Sequence, residues 1–511
     1  MTVKIFRASL SVLILFTLSN AFAQDYAETA LLFSRTRPGG SARIQALGGS
    51  QIALGGDYSS AGSNPAGLGM FNKSEFTFST GLTSNTTSAF FKPSPNFDGV
   101  NTKDDRTVLN IPGISLVWHM PKENGKFLGG SLAISLSRTN DFNRSTFYKG
   151  NNDQNSIVDY FIDDAFGSTD DQFQPNGFNY NTPTGLAYHN YLIGASDILS
   201  PPGPNDEYFT DAGWPELGQQ EEILVKGSTN QWNFSYGGNI DDKFFFGGGL
   251  GISSLRYKSQ KILTEQYDNP DIIRSMQLTE NLDIRGNGVN LTLGAIGRPI
   301  DFIQIGVSYT TPTFLNLSEN YEASMDTHWN NYDYFGDGDE ILNDESASTD
   351  LVTSDYNLRI PSRFSTGITF LSKYGFITGD IEISNAGNAK YSSDTPGISY
   401  SDNNDDIKTL YRQTVSYRMG AEFKYNIYRL RAGYGVQPNA YKSEFDADNS
   451  VTTISGGAGV RLKTFYIDFA LIHQSTGRYT YSPYTFFDGS GPVVDLKNKL
   501  TSGMITVGFT F

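Results

Sequence analysis

From about Ser74 to the last residue, the chain repeats one pattern: segments of about ten residues in which apolar and polar side chains alternate strictly. Ile505, Val507, Phe509 and Phe511 share one face of such a segment, and Met504, Thr506, Gly508 and Thr510 share the other. Phe465, Ile467, Phe469 and Leu471 alternate in the same way with Tyr466, Asp468, Ala470 and Ile472. So do Val415, Tyr417, Met419 and Ala421 with Ser416, Arg418, Gly420 and Glu422, and Trp232, Phe234 and Tyr236 with Asn233 and Ser235. A period of two is that of a β-strand whose faces meet different solvents.

Alternation alone is equally compatible with a soluble sandwich. The connections decide. Short turns near Pro121–Lys126, Asn239–Lys243, Arg298–Asp301, Ser372–Gly375, Lys424–Tyr428 and Leu462–Phe465 take turns with long polar segments, the longest at 139–221 and 312–355. Short periplasmic turns and long extracellular loops are the plan of an outer-membrane barrel, and the count predicts about fourteen strands. The expected fold class is all-β, a transmembrane antiparallel β-barrel with an N-terminal hatch plugging the lumen. An even number of strands returns the C-terminus to the periplasmic side, where the N-terminal segment is also expected to begin. Strands are expected at 407–424 and 501–511 among others, and the terminal Phe511 is the kind of signal that barrel-assembly machinery reads.

The N-terminus sets the compartment. Lys4 and Arg7 precede the apolar run Leu10–Leu18, and Ala21-Phe22-Ala23 completes a secretory signal peptide, residues 1–23. That run is too short to span a membrane as a helix. Residues 24–73 are Gly-rich and lack strand patterning, which suits a hatch; residues 74–511 form the barrel.

Composition narrows the function. With no Cys among 511 residues, disulfides and thiolate chemistry are excluded. A formal charge of −16 without a basic stripe argues against nucleic acid as a partner. The four histidines, His119, His189, His328 and His473, fall in separate places, so no catalytic constellation is expected, and nothing calls for a cofactor. Asp333, Asp337 and Asp339 surround glycines as calcium loops do, but without EF-hand spacing, and a solvated acidic loop is the simpler reading. Charges on inward faces include Arg418, Arg429, Arg431 and Arg461; a lumen tolerates them as ion pairs or as contacts for an anionic head group.

Gly40-Ser-Ala-Arg-Ile-Gln-Ala-Leu-Gly-Gly-Ser-Gln-Ile-Ala-Leu-Gly-Gly-Asp57, followed by Asn64-Pro65-Ala66, resembles the hatch of the FadL-type long-chain fatty-acid transporter family of outer-membrane hydrocarbon channels, most closely its Bacteroidetes-like branch. Ile360–Ile368 resembles a mid-barrel strand of that family. The resemblance implies a plugged fourteen-stranded barrel that passes apolar ligands by diffusion, with Asn64, Pro65 and Ala66 as the hatch motif. The partners it implies are outer-membrane lipid, a hydrophobic small molecule, the assembly machinery during insertion and, for an accessory role, other outer-membrane proteins. An accessory barrel in a secretion or assembly complex is the alternative, motivated by the large loops with Trp214 and Trp329 expected at their surface. A hydrocarbon channel should release its ligand sideways, and Pro112-Gly113 in the second strand, with Gly129-Gly130 on the third, is the expected gate: Pro cannot donate to the ladder and Gly permits a kink.

Overall fold

In the computed structural model, the described residues are 26–195, 208–213, 216–268, 271–445 and 447–511. The signal segment 1–23 and Trp214 lie outside them. Fourteen antiparallel strands form a closed wall. They are β1 (Glu75–Phe91), β2 (Val100–Pro121), β3 (Phe127–Asp141), β4 (Leu217–Ile240), β5 (Phe244–Tyr267), β6 (Ile273–Ile300), β7 (Ile303–Thr310, continued by Thr313–Asp333) and β8 (Val352–Ile360, continued by Arg363–Ser372). Then come β9 (Gly375–Asn385), β10 (Gln413–Tyr425), β11 (Tyr428–Gln437), β12 (Val451–Arg461), β13 (Phe465–Thr476) and β14 (Val494–Thr510). Pairing of β1 with β14 from Glu75↔Thr510 to Phe91↔Val494 closes the circle.

The alternation has its cause in the outer surface. Phe78, Trp118, Ile134, Phe234, Leu250, Leu291, Val307, Phe370, Ile377, Met419, Leu430, Ile454, Phe469 and Ile505, one from each strand, are all exposed. A continuous apolar belt on a closed sheet, in which each strand pairs with both neighbours over at least part of its length, is what a hydrocarbon layer requires of a wall. Among the described residues, no helix is long and apolar enough to cross a membrane. The short ends are tight: β4 and β5 join through Asp241–Lys243, with Asp241 and Asp242 both left-handed at φ 59° and 53° as the two central residues of a type I′ turn are.

Above the belt the structure departs from the expected loops. Much of 312–355 is strand: β7 continues to Asp333 and folds back through Ile341–Ser348. Segment 139–221 contains a strand, Arg144–Asn152, paired with β4, and helices over Ile157–Ala165 and Pro183–His189. The segment expected as strand from 407 begins as a helix, Ser401–Leu410, with Asp402 in its first turn and Lys408 in its last, charges that complement the helix dipole. These pieces share one large apolar core across the barrel mouth, built on residues such as Phe161, Leu186, Leu315 and Tyr356. Trp329, expected at the surface, is fully buried there; its indole N–H donates to Thr327 Oγ1 at 3.1 Å. The accessory-subunit reading loses the support of Trp329.

The N-terminal segment also runs opposite to expectation. Its first helix, α1 (Tyr26–Ser34), starts in the loop core, where the Tyr26 ring meets Tyr356, Tyr391 and Tyr400 edge-on. The chain then descends inside the barrel to β1. Along the way Ala42 N–H donates to Thr506 Oγ1 (2.8 Å), Gly48 N–H to Ser455 Oγ (3.0 Å), and Gln51 and Ile52 N–H to Asp380 Oδ2 (2.6 and 3.0 Å). Ser235 and Ser308 hydroxyls donate to the carbonyls of Ala61 (2.7 Å) and Ser63 (2.6 Å). The inward polar face of the wall thus satisfies a backbone that has few partners of its own.

Candidate lateral opening and the cavities behind it

The ladder between β2 and β3 runs from Pro121↔Gly129 to Gly113↔Ser137 and stops there. The next β2 residue, Pro112, has no N–H to offer. On the other side β3 has a register shift against β4 between Arg138 and Asn140, and above it follows β4 alone. Residues Val100–Asn110 therefore pair only with β1, and Ile111 and Pro112 fall in a register shift of that ladder. Leu109 and Ile111 face outward, whereas Asn110 is buried and donates to Thr83 Oγ1 at 2.9 Å. The freed edge of β3 is met by the N-terminal segment: Arg37 N–H donates to Thr139 O at 2.8 Å, and Asn140 Nδ2 to the carbonyls of Leu32 and Arg35 at 3.1 Å. Gly113 is required by close approach, since a Cβ there would strike the Tyr58 hydroxyl. Gly129 and Gly130 play no part in this gap; opposite Pro121 and Met120, they sit at the turn end of the ladder.

Behind the interruption lies a cavity of about 140 Å³, reached by Asn110, Pro112, Thr139 and the Thr36–Gly40 stretch. It shares Arg37, Asn140, Asp141 and Leu500 with a second cavity of about 260 Å³ above it. That one in turn shares Glu28, Arg144, Tyr257 and Tyr479 with a vestibule of about 680 Å³ under the loop core. A smaller space of about 70 Å³ extends from Arg37 across to Thr310 and Arg363.

Of the two roles open to the inward arginines, ion pair or head-group contact, most take the first. Arg431 contacts Glu422 (2.6 Å) and Asp468 (2.7 Å), Arg461 reaches Asp468 (3.6 Å) and Arg429 reaches Glu422 (3.8 Å). Arg43 of the N-terminal segment joins Glu422 at 3.7 Å, so the cluster ties that segment to the wall. Arg418 lines the first cavity but pairs with Glu382 at 3.1 Å. Buried guanidiniums take the nearest carboxylates because an unpaired buried charge is costly. Instead Arg35, Arg37 and Arg144 line the connected spaces and form no ion pair among the described residues. The Arg35-Thr-Arg37-Pro-Gly-Gly stretch was the available signal for two of them.

Asn64, Pro65 and Ala66 form a seat. Asn64 Oδ1 accepts from Ala66 N–H (3.2 Å) and its Nδ2 donates to Ile52 O (2.7 Å), capping the 3₁₀ turn Pro65–Met70. The turn lies against Gly237, Gly247 and Gly294, where any Cβ would collide with it. The calcium candidates point inward on their own turn: Asp333 accepts from Gly336 and Gly338 N–H, and Asp337 from Asp339 N–H. No group of three His, Cys, Asp or Glu side chains among the described residues is placed to hold a metal ion. The four histidines have separate neighbours: Ser131, Phe173, Asp344 and Thr501.

No protein-family model matches this chain, and no curated protein does. Solved structures do. A FadL homologue from Pseudomonas aeruginosa aligns over 93% of this chain and 99% of its own length, with a TM-score of 0.51 and 13% identity. The toluene transporter TodX of P. putida aligns over 93% and 99%, at a TM-score of 0.49 and 12% identity. With its closed fourteen-stranded wall and the N-terminal chain inside it, the protein has the fold of a FadL-type channel.

Proposed function

We propose that the protein carries hydrophobic small molecules passively across the bacterial outer membrane, receiving them under the extracellular loops and releasing them sideways between β2 and β3. One observation carries the reading: the three cavities share wall residues in succession, from the vestibule to the unpaired edge at Pro112. An apolar molecule gains nothing by entering the watery periplasm, and a wall gap at the level of the lipid belt lets it partition directly. Below the vestibule, the lining favours an apolar chain with an oxygen-bearing head, long-chain fatty acids being the simplest case, over a bare hydrocarbon. Arg35, Arg37 and Arg144 line that space without an ion pair among the described residues, and acceptors on a ligand can meet them where a bare hydrocarbon cannot.

The test is uptake of a radiolabelled long-chain fatty acid by cells producing Asn110→Trp, compared with Ile111→Trp. Asn110 faces the cavity and its neighbour faces lipid. At equal surface abundance, uptake should fall to background for the first and stay near wild type for the second. Unchanged uptake by Asn110→Trp overturns the route.

A further inference from the structure

The vestibule differs in chemistry from the spaces below it. Tyr160 and Phe161 of the Ile157–Ala165 helix, Tyr484 of the last loop, and Tyr26, Tyr257 and Tyr481 line it. Glu28, Glu280 and Asp406 line it together with Arg144 and Lys261. Lys261 lies over the Tyr481 ring, 5.4 Å from its centroid, and beside the wall carboxylate of Glu221, which accepts from the hydroxyls of Tyr148 (2.5 Å) and Tyr481 (3.1 Å). Glu280 accepts from the Tyr321 hydroxyl at 2.8 Å. The volume, about 680 Å³, is within the roughly 300–1,000 Å³ of small-molecule sites.

Each simple ligand class meets an objection here. A bare hydrocarbon brings no polar group to a lining that carries five charged side chains. An organic anion faces three carboxylates against two cations, and an organic cation faces Arg144 and Lys261. A neutral ring with an apolar C–H face and hydroxyls around its edge meets none of these. Its faces lie on tyrosine rings, which present an apolar body and a polar tip, and its hydroxyls both donate and accept. We propose that the vestibule is a binding site for a pyranose ring, carried either as the head of an amphiphile or as a free saccharide. The proposal rests on the transport reading only for the fate of the ligand after capture.

The experiment titrates the full-length barrel, in nanodiscs, with three probes below their micellar concentrations: maltose, dodecyl maltoside, and dodecyl octaethylene glycol ether, which has the same chain and no ring. Calorimetry should show dodecyl maltoside binding at least tenfold more tightly than the ether. Tyr160→Leu should remove that preference and Tyr160→Phe should keep it, since the ring and not the hydroxyl is required. Maltose binding as tightly as dodecyl maltoside supports the pyranose site and assigns a free saccharide as its source; much weaker maltose binding assigns the amphiphile. Equal affinity for the two dodecyl probes with no binding of maltose, or a preference untouched by Tyr160→Leu in a folded barrel, overturns the proposal. A ring preference that survives while Asn110→Trp leaves uptake unchanged sinks the lateral route alone.

Discussion

Away from the strand ends, two places in the wall carry proline, and they behave differently. At Pro112 the ladder ends. At Pro312 of β7 and Pro361 of β8 it resumes in the same register: Thr310 pairs with Arg363 below, and Thr313 with Ile360 above, so the two prolines face each other. Thr311 N–H donates to Leu291 of β6 at 2.9 Å, and alternation therefore aims Pro312 at Pro361, where neither ring nitrogen can donate. Two ladder bonds are missing from a wall that stays shut. The break here serves orientation. Tyr309 and Phe364 face lipid below it, whereas Leu315, Leu317 and Leu358 turn inward above it to join the loop core. Loss of a donor is thus insufficient to open a barrel; at Pro112 it is the departure of β3 toward β4 that leaves an edge unpaired.

The largest expected effect comes from that cause. Deleting Thr139 removes the extra residue at the register shift and returns β3 to a single register; fatty-acid uptake should fall to background in a barrel that still migrates as folded. Uptake at the wild-type rate would show that β3 does not make the opening. Next comes Gly113→Val, which forces the branched side chain against the Tyr58 hydroxyl. Overpacking of this kind costs about 1–3 kcal/mol, and thermal unfolding in detergent should begin earlier by a matching amount. Pro112→Thr alone should lower uptake by less than about twofold, because the new N–H finds no β3 carbonyl; a drop to background would restore proline as the cause. The smallest functional change is expected of Pro312→Thr with Pro361→Thr: unaltered uptake, with stability raised by up to about 1–3 kcal/mol from two new ladder bonds of about 0.5–1.5 kcal/mol each. Reduced stability would mean that the face reversal, rather than the ladder, sets the energetics there.

Topology was readable because a membrane wall is a repetitive object. One solvent boundary acts on every strand, so the period of two recurs and the long connections fall at one end. The places where reading failed are those where that boundary no longer acts. Above the membrane, β7 and its return strand stay paired but carry polar outward residues such as Asn316 and Ser318, and they read as loop. Trp329 looked free because the core that covers it comes from loop segments distant in the chain. Arg429, Arg431 and Arg461 were rightly placed indoors, yet only the fold shows that Glu422 and Asp468 lie beside them and that Arg43 arrives from the N-terminal segment.

Local physical chemistry carried by the sequence alone determined the class of fold, the outward and inward faces of most strands and the tight turns. Each depends on neighbours within a few residues or on one uniform solvent. Tertiary structure alone decided the direction in which the N-terminal chain threads the barrel, the partners of the lumen arginines and the succession of cavities. All three join residues tens or hundreds of positions apart, and a void belongs to no single segment; it exists only where several fail to meet.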